Sequence, residues 1–203
     1  LIELGTEELP PPSLKKLRDA FLSSFETQLK AAGLEFDAVE IFAAPRRLAV
    51  LFKNLDDTQK DLPFERKGPS KKAAFDANGE PTKALLGFMR GAGCTVDDLV
   101  TIDTPKGEWL MYQGMTKGQA TKSLLPAMLT QALAKLPIAK RMRWADRRDE
   151  FVRPIQWLVF LEGSNVIEAE VMGVQSSNTS RGHRFHCNEE IEITNPNDYE
   201  ALL

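Results

Sequence analysis

The sequence has little of what a disulfide-bonded, metal-dependent or membrane-embedded protein needs. Its 203 residues include only two cysteines and two histidines. Cys94 and Cys187 lie far apart and form no CxxC motif, so there is no disulfide framework, and a reducing setting fits best. Apolar runs such as Leu158 to Leu161 are only a few residues long, far shorter than the roughly 20 residues that span a bilayer. We therefore expect a cytoplasmic protein that does not enter a membrane.

Motifs for nucleotide, metal and covalent chemistry are also missing. No Gly-x-x-x-x-Gly-Lys-Ser/Thr segment occurs, and Gly91-Ala92-Gly93 lacks the preceding strand and the third glycine of a dinucleotide site. His183, His186 and Cys187 are neighbours, but a metal site needs three or four ligands and no second cluster follows. Two histidines without a matched partner also argue against a nucleophilic triad. We predict no cofactor, no metal site and no catalytic residue in this stretch.

The composition that remains is that of a folded globular protein. Hydrophobic residues make up 42% and charged residues 27% of the chain, which excludes disorder of the whole chain. At about 150 residues per domain, the length predicts one or two domains. The chain starts at Leu1 and stops at Leu202-Leu203 without a polar tail, so we expect it to be a fragment of a longer protein.

Three apolar patterns predict helices. An apolar residue recurs every three or four positions from Leu14 to Leu29, which predicts a helix over about residues 13–32 that Gly33 ends. A second main helix is predicted over about residues 123–136, where Pro126 is tolerable only in the first turn. A short helix should follow Pro81 and end near residue 92.

Short strands are predicted between and after these helices, at about residues 1–4, 39–42, 48–55, 100–103, 109–114, 156–161, 166–174 and 191–193. Because helices and strands alternate irregularly with links of hairpin length, we predict an α+β fold with a mostly antiparallel sheet. It should contain two main amphipathic helices and one short helix. The polar stretch 56–79 is predicted to be a connecting loop with one helical turn at Lys71 to Phe75. This loop allows either two lobes, 1–62 and 80–203, or one two-lobed unit.

Positive charge is concentrated although the whole chain is slightly acidic. The formal net charge is −3, yet residues 140–153 hold six cations, three anions and Trp144. Smaller clusters occur at Arg46-Arg47, Arg66-Lys67, Lys71-Lys72 and at Arg181 with Arg184. The planar arginine fork binds two phosphate oxygens at once, and an indole can stack on an unpaired base. The pattern favours an RNA-binding face, and a solvated surface with internal ion pairs is the alternative interpretation.

A series of motifs resembles one known family. The motifs are Glu3 to Pro11, Ala44 to Ala49, Gly68-Pro69, Ala74-Phe75-Asp76, Gly79, Pro81-Thr82, Gly87-Phe88, Arg90-Gly91, Lys106-Gly107-Glu108, Met142-Arg143-Trp144, Phe151 to Pro154 and Gly182 to Phe185. Their order resembles that of the β subunit of bacterial tetrameric glycyl-tRNA synthetase and covers essentially the whole chain. Each motif alone is weak, but the series is specific. The resemblance implies that residues 1–203 are the N-terminal region of a longer β subunit.

The resemblance implies a role that composition and residue patterns alone leave open. The family's enzyme joins glycine to its tRNA with ATP and magnesium, and it assembles as α2β2. Its ATP and glycine site lies on the α subunit, whereas the β subunit does much of the tRNA binding. The expected partners of this chain are therefore the α subunit and glycine tRNA. The chain itself would be a tRNA-contacting, non-catalytic part of a glycine–tRNA ligase, inactive alone.

Candidate tRNA contacts are the residues of the basic clusters and their aromatic or histidine neighbours. They are Arg46, Arg47, Lys140, Arg141, Arg143, Trp144, Arg147, Arg148, Arg153, Arg181, His183 and Arg184. Two alternatives stay open. In the first, the chain is a scaffold that docks the α subunit without binding RNA, through exposed aromatic or methionine patches. In the second, Glu7, Glu8 or His183 activates water in an editing reaction, for which glycine, the smallest amino acid, gives little need.

Overall fold

The computed structural model describes residues 1–76, 78–105, 107–144, 149–184, 186 and 189–203. The chain divides into two compact units. Unit 1 contains Leu1–Gln59 and Gln119–Leu203, and unit 2 contains Lys60–Gly118. These units differ in their bounds from the two lobes considered at 1–62 and 80–203, because strands from both ends of the chain pair in one sheet of unit 1.

Unit 1 is built on a mixed sheet. Its strands and helices are β1 (Ile2–Thr6), α1 (Pro11–Ala31), β2 (Ala38–Ala44), β3 (Arg47–Lys53), α4 (Thr121–Ala134), β7 (Ile155–Glu162), β8 (Asn165–Val166), β9 (Glu170–Val171), β10 (Val174–Ser177), β11 (Thr179–Arg181), β12 (Glu190–Glu192) and α5 (Tyr199–Leu202). The sheet order is β2-β3-β1-β7-β10-β9, and β8 pairs with β7. All of these pairs are antiparallel except β7 with β10, and β11 pairs with β12 separately.

Unit 2 is a three-stranded antiparallel sheet with two helices. Its elements are β4 (Leu62–Ser70), α2 (Lys71–Ala74), α3 (Lys83–Ala92), β5 (Leu99–Thr104) and β6 (Gly107–Thr116), and the strand order is β4-β6-β5. Its buried core consists of Ala74, Leu85 and Leu110 among the described residues. The two units together confirm the predicted α+β class with mostly antiparallel pairing.

Helix α1 forms where the apolar stripe predicted it. Prolines occupy its first positions, where the missing N–H groups would have no intrahelical acceptor. Leu17, Phe21 and Phe25 recur on one face and are fully buried, and Gly33 follows the helix with a φ of +69°. This face packs with α4 against one side of the sheet, so that hydrophobic burial rather than local propensity holds the helix.

The central strands of unit 1 are buried on both faces. Leu4, Leu158 and Phe160 point to the core under α1 and α4. Trp157 and Val159 point to a second, smaller core that Tyr199 and Ile193 help to cover. Strands covered on both sides are apolar in continuous runs rather than in alternation, which explains the unbroken apolar segment of β7.

Three local predictions were wrong. The segment 56–79, predicted as a loop with one helical turn, contains α2 at the place of that turn but also the unpredicted strand β4, because β4 is an edge strand that tolerates prolines and charges. The single strand predicted at 166–174 is broken into β8, β9 and the start of β10, with positive φ at Met172 and Gly173. Pro126 lies beyond the first turn of α4, which begins at Thr121 and continues through it.

Candidate nucleic-acid interface

The register of three neighbouring strands places a buried carboxylate next to an arginine and a tryptophan. In that register Gly5 of β1 lies opposite Arg47 of β3 and opposite Trp157 of β7. A Cβ atom at Gly5 would come within 1.9 Å of the Trp157 ring, so only glycine permits this close approach. Glu3, two residues earlier, points to the same face of the sheet.

Glu3 is completely buried and is held by several donors. Its Oε1 atom accepts a hydrogen bond from Trp157 Nε1 at 2.5 Å and one from Ser180 Oγ at 2.7 Å. Arg47 Nη1 lies 3.8 Å from the same oxygen. A buried charge needs partners of this kind, since an unpaired carboxylate would be strongly destabilising.

The environment of Tyr199 shows how enclosed this site is. Burial, and next the negative charge of Glu3, raise the pKa of the Tyr199 phenol well above its ordinary value, while Arg47 opposes the shift. Tyr199 also packs edge-on against Phe42, with ring centroids 5.1 Å apart. The second core of unit 1 therefore surrounds the Glu3 network with apolar side chains.

Three arginines surround the Trp157 ring. The guanidinium carbons of Arg46, Arg47 and Arg181 lie 5.7, 5.9 and 5.8 Å from the ring centroid. Cations are attracted to the face of an indole at such distances. Arg47 Nη2 also donates to the backbone carbonyl of Arg181, which ties β3 to β11. The fold thus gathers positive charge at one point from two distant segments, Arg46-Arg47 at the start of β3 and Arg181 at the end of β11.

A cavity of about 180 Å³ opens beside this cluster. It is lined by Glu8, Ala44, Pro45, Arg46, Arg47, Trp157, Gly182, His183 and Arg184. Glu7 lies at its edge, with one carboxylate oxygen 4.0 Å from Arg46 Nη2 and the other 4.0 Å from Arg184 Nη1. Within the described part of the chain, Arg46 Nε is buried and has no hydrogen-bond partner.

Arg153 connects the cavity to the second basic segment. Its Nε atom donates to the Glu8 carbonyl at 2.9 Å, and its Nη1 atom lies 3.7 Å from Met142 Sδ. Met142 lies between Arg141 and Arg143 in the sequence. We call the following set the basic band of unit 1: Arg46, Arg47, Arg141, Arg143, Arg153, Arg181 and Arg184.

The guanidinium groups at the far end of the band have acceptors within the protein. Arg141 donates to the carbonyls of Glu150 and Ala134 at 3.2 and 3.1 Å. Arg143 Nε pairs with Glu150 Oε1 at 2.7 Å, and its side chain is 66% exposed. Such exposed ion pairs contribute at most about 1 kcal/mol, so a phosphate could replace Glu150 as the partner.

The remaining predicted contacts lie in different settings. Lys140 is exposed, whereas Trp144 is half-buried and packs against the main core, which leaves less of its ring open for stacking. His183 is exposed at the cavity, with its ring 4.5 Å from that of His186. Arg147 and Arg148 lie outside the described residues. The structure therefore brings Arg46 and Arg47 together with a group that lies far away in the sequence, namely Arg181, His183 and Arg184.

Other chemistry finds less support in the geometry. Within the described ranges, no group of three or more His, Cys, Asp or Glu side chains is placed to hold a metal ion. No helix there is long and apolar enough to cross a membrane. The residues of the editing alternative lie together, since Glu8 and His183 line the cavity and Glu7 borders it.

Sequence reasoning missed Glu3, Trp157 and Ser180, which organise the cluster. Glu3 offered one signal, because a lone carboxylate among apolar residues of a short strand must find a partner if that strand is buried. Trp157 and Ser180 offered none, since an apolar residue in β7 and a serine in a short strand are ordinary.

Comparison with known proteins gives one consistent result. A model of the family described as glycyl-tRNA synthetase beta subunit matches residues 1–203. The glycine–tRNA ligase beta subunit of Marinobacter nauticus is 52% identical over 203 residues, which are 100% of this chain and 29% of that protein. Those of Glaesserella parasuis and Vibrio campbellii are 51% and 49% identical, again over all of this chain and over 30% and 29% of their length. The chain thus spans less than a third of these relatives.

Proposed function

Because the chain belongs to the glycyl-tRNA synthetase beta subunit family, we propose that it is a tRNA-contacting, non-catalytic part of a glycine–tRNA ligase. In this proposal the active site, with ATP and magnesium, lies on a partner α subunit in an α2β2 assembly. The absence of a phosphate-binding loop from the sequence supports this division of labour. The protein would act in the cytoplasm, where tRNA is charged.

The observation that carries the RNA contact is the basic band. Its arginines come from motifs that are far apart in the sequence, yet contacts through Trp157, Glu7 and Met142 join them along one unit. Arginines grouped in this way neutralise successive phosphates and release counterions, which makes binding sensitive to salt. Phosphate contacts of this kind fix orientation, while base contacts elsewhere specify the sequence.

The test is the salt dependence of glycine tRNA binding by the complete α and β subunits together. If about five band residues contact phosphates, they contribute roughly −4 to −5 to the slope of log affinity against log salt. Arg141→Gln with Arg143→Gln should flatten the slope by about one unit per lost contact. The matched control is Arg18→Gln on α1, where Arg18 pairs with its neighbour Asp19 at 2.7 Å.

The slope decides the assignment. An unchanged slope in the double variant would remove Arg141 and Arg143 from the interface. A slope that changes equally in the Arg18→Gln control would show that total charge, and not this surface, sets the affinity. Preference for glycine tRNA over an unrelated tRNA would place recognition elements near the band.

A second candidate function, docking of the α subunit, is favoured by the open face of unit 2. Side chains alternate along a strand, so Trp109, Met111 and Met115 of β6 share the face opposite Leu110 and α3. Val100 of β5 lies opposite Met111 on the same face. Met115 is 58% and Val100 41% exposed. Tryptophan and methionine are enriched at protein interfaces, and the relatives' name, beta subunit, implies another subunit.

Co-purification with the α subunit tests this docking face. We expect Val100→Glu with Met115→Glu to lower recovery of the α subunit at least about tenfold, because two carboxylates would be buried at the contact. Leu86→Glu on α3 is the control, since Leu86 is 47% exposed but lies on the helical side. Undiminished recovery in the double variant would show that the α subunit does not dock on this face. The face would then be available to another part of the β subunit.

A further inference from the structure

We propose that the cavity beside Trp157 binds a single phosphate group of the RNA backbone. The inference rests on the proposed function and adds a defined site to it. The cavity lies between the turn joining β2 to β3 and the segment that follows β11. Its walls supply Arg46 and Arg47 from one side and Arg184 from the other.

The size of the cavity selects a small group. About 180 Å³ is below the roughly 300–1,000 Å³ typical of pockets for drug-sized ligands. A whole nucleotide or an aminoacyl adenylate therefore does not fit inside. A phosphate group does fit, and its ribose neighbours could stay at the cavity mouth.

Two arginines in the cavity walls have incompletely paired guanidinium groups. Within the described residues, Arg46 Nε and Arg47 Nη1 are buried without a hydrogen-bond partner. The 3.8 Å from Arg47 Nη1 to Glu3 Oε1 is too long for a hydrogen bond. Because these two atoms are shielded from solvent, a bound anion would interact with the charge of the whole guanidinium groups and would offset the cost of burying them.

The charge balance also favours an anion. Among the described residues around the cavity, four guanidinium groups (Arg46, Arg47, Arg181 and Arg184) face three carboxylates (Glu3, Glu7 and Glu8). Glu3 already accepts from Trp157 and Ser180, and Glu7 approaches its two arginines only to 4.0 Å. Guanidinium groups therefore outnumber carboxylates around the cavity by one.

The arginines are held in place before any ligand arrives. Contact with the Trp157 ring fixes Arg46 and Arg47, and the bond from Arg47 to the Arg181 carbonyl fixes the opposite wall. The Gly182 N–H donates to the Glu189 carbonyl at 3.0 Å, which anchors the segment carrying Arg184. Little side-chain entropy would be lost on binding, and this favours recognition of one phosphate in one position.

The experiment compares Arg46→Gln with Arg46→Lys and with the Arg18→Gln control in the complete α–β complex. Arg46→Gln removes the charge and the Nε donor, and we expect it to weaken glycine tRNA binding about tenfold, as for a lost charged hydrogen bond. Arg46→Lys keeps the charge but loses the fork, so most of the weakening should remain. Arg18→Gln should bind as the unaltered complex does.

A second readout does not involve RNA. Inorganic phosphate should raise the melting temperature of the unaltered complex, because a ligand that binds only the folded state stabilises it. This increase should disappear in Arg46→Gln. If Arg46→Gln fails to fold, Ala44→Glu serves instead, since it keeps every arginine and adds a competing carboxylate to the cavity wall.

The possible results separate the two proposals. Normal tRNA binding by Arg46→Gln, with weakened binding by the Arg141 and Arg143 variants, overturns the phosphate site and leaves the proposed function intact. If no band variant affects tRNA binding, the proposed function fails. Phosphate-dependent stabilisation that Arg46 controls would then assign the cavity to free phosphate and overturn an RNA source.

Discussion

The two units of this chain differ in how the faces of their sheets are covered. In unit 1, α1 and α4 cover one face of the sheet, and a second core with Tyr199 and Ile193 covers the other. In unit 2, helix α3 covers one face, and Trp109, Met111 and Met115 lie on the other. A strand buried on both sides can hold a charge such as Glu3 in place, whereas a strand buried on one side leaves apolar groups for a partner.

Under the proposed function, the two units suit different kinds of recognition. The enclosed Glu3 network fixes Arg47 and Trp157, so positive charge in unit 1 is positioned accurately. The open face of unit 2 combines exposed apolar side chains with a few polar contacts, such as the hydrogen bond from Gln113 to Glu65 at 2.9 Å, and under the proposed function this face suits docking of a protein. Five predictions test whether the units differ in this way.

The largest effect is expected from the core of unit 1. Phe25 is fully buried and packs edge-on against Phe21, with ring centroids 5.2 Å apart. Phe25→Ala should lower the free energy of unfolding of unit 1 by about 3–5 kcal/mol, through lost burial and the cavity left behind. Urea unfolding, with hydrogen exchange resolved along the chain, measures this loss.

The counterpart in unit 2 is Leu85→Ala, for which the same reasoning gives about 2–3 kcal/mol, at the lower end for a buried leucine. Its core of three buried residues, among those the structure describes, can collapse more easily around the gap. We expect each substitution to raise exchange in its own unit. Equal loss of protection in both units would mean that they unfold together.

A pH dependence should belong to unit 1. Since the folded-state pKa of Tyr199 is raised, the folded protein keeps the phenol proton after the unfolded chain, with a pKa of about 10, has lost it. Stability should be intact below pH 10 and fall above it, by up to about 1.4 kcal/mol per pH unit. Unfolding at pH 9, 10 and 11 measures this, and Tyr199→Phe should remove that part of the decline.

Two glycines allow a matched comparison of the units. Gly33 follows α1 and Gly93 ends α3, with φ values of +69° and +70°, and an added Cβ would meet nothing within 4 Å at either position. Alanine at each should cost about 1 kcal/mol, because only the left-handed backbone opposes it. A much larger cost at one position in urea unfolding would show that packing there, and not the backbone, decides.

The smallest effect is expected from removing unit 2. The chain leaves and re-enters unit 1 at adjacent points, where Thr58 bridges to Ala120 and the Gln59 N–H donates to the Gln119 carbonyl at 3.0 Å. Replacing residues 60–118 with a short Gly-Ser link should change the free energy of unfolding of unit 1 by no more than a surface substitution does, within about 0.5 kcal/mol. A collapse of unit 1 would contradict the division into units.

Predictability from the sequence followed the strength of local patterns. Helix α1 was readable because its apolar residues recur with the helical period, and Gly33 marks its end. Strand β4 was not readable, since its prolines and charges obscure the alternation that an edge strand otherwise shows. The strand predicted at 166–174 is interrupted by a turn at Met172 and Gly173, and a methionine in the sequence does not indicate a positive φ.

The basic residues show the same limit for the site. Their identity and spacing were evident, and the motif at Arg46-Arg47 was part of the family resemblance. Their partners were not evident, because ion pairs such as Arg143 with Glu150 depend on how the chain returns on itself. Trp144 was expected to be open for stacking, but the core takes up part of its surface.

The sequence alone determined the helices, most of the strands, the α+β class and the family, because these depend on local periodicity and on motifs in order. Only the tertiary structure decided that Arg47, Gly5 and Trp157 lie side by side. That arrangement arises because β1 pairs both with β3 and with β7, which lies more than 100 residues further along the chain, and the register of each pair is fixed by which face each strand buries. Convergence of charge at one cavity is therefore a property of strand register, which no local pattern encodes.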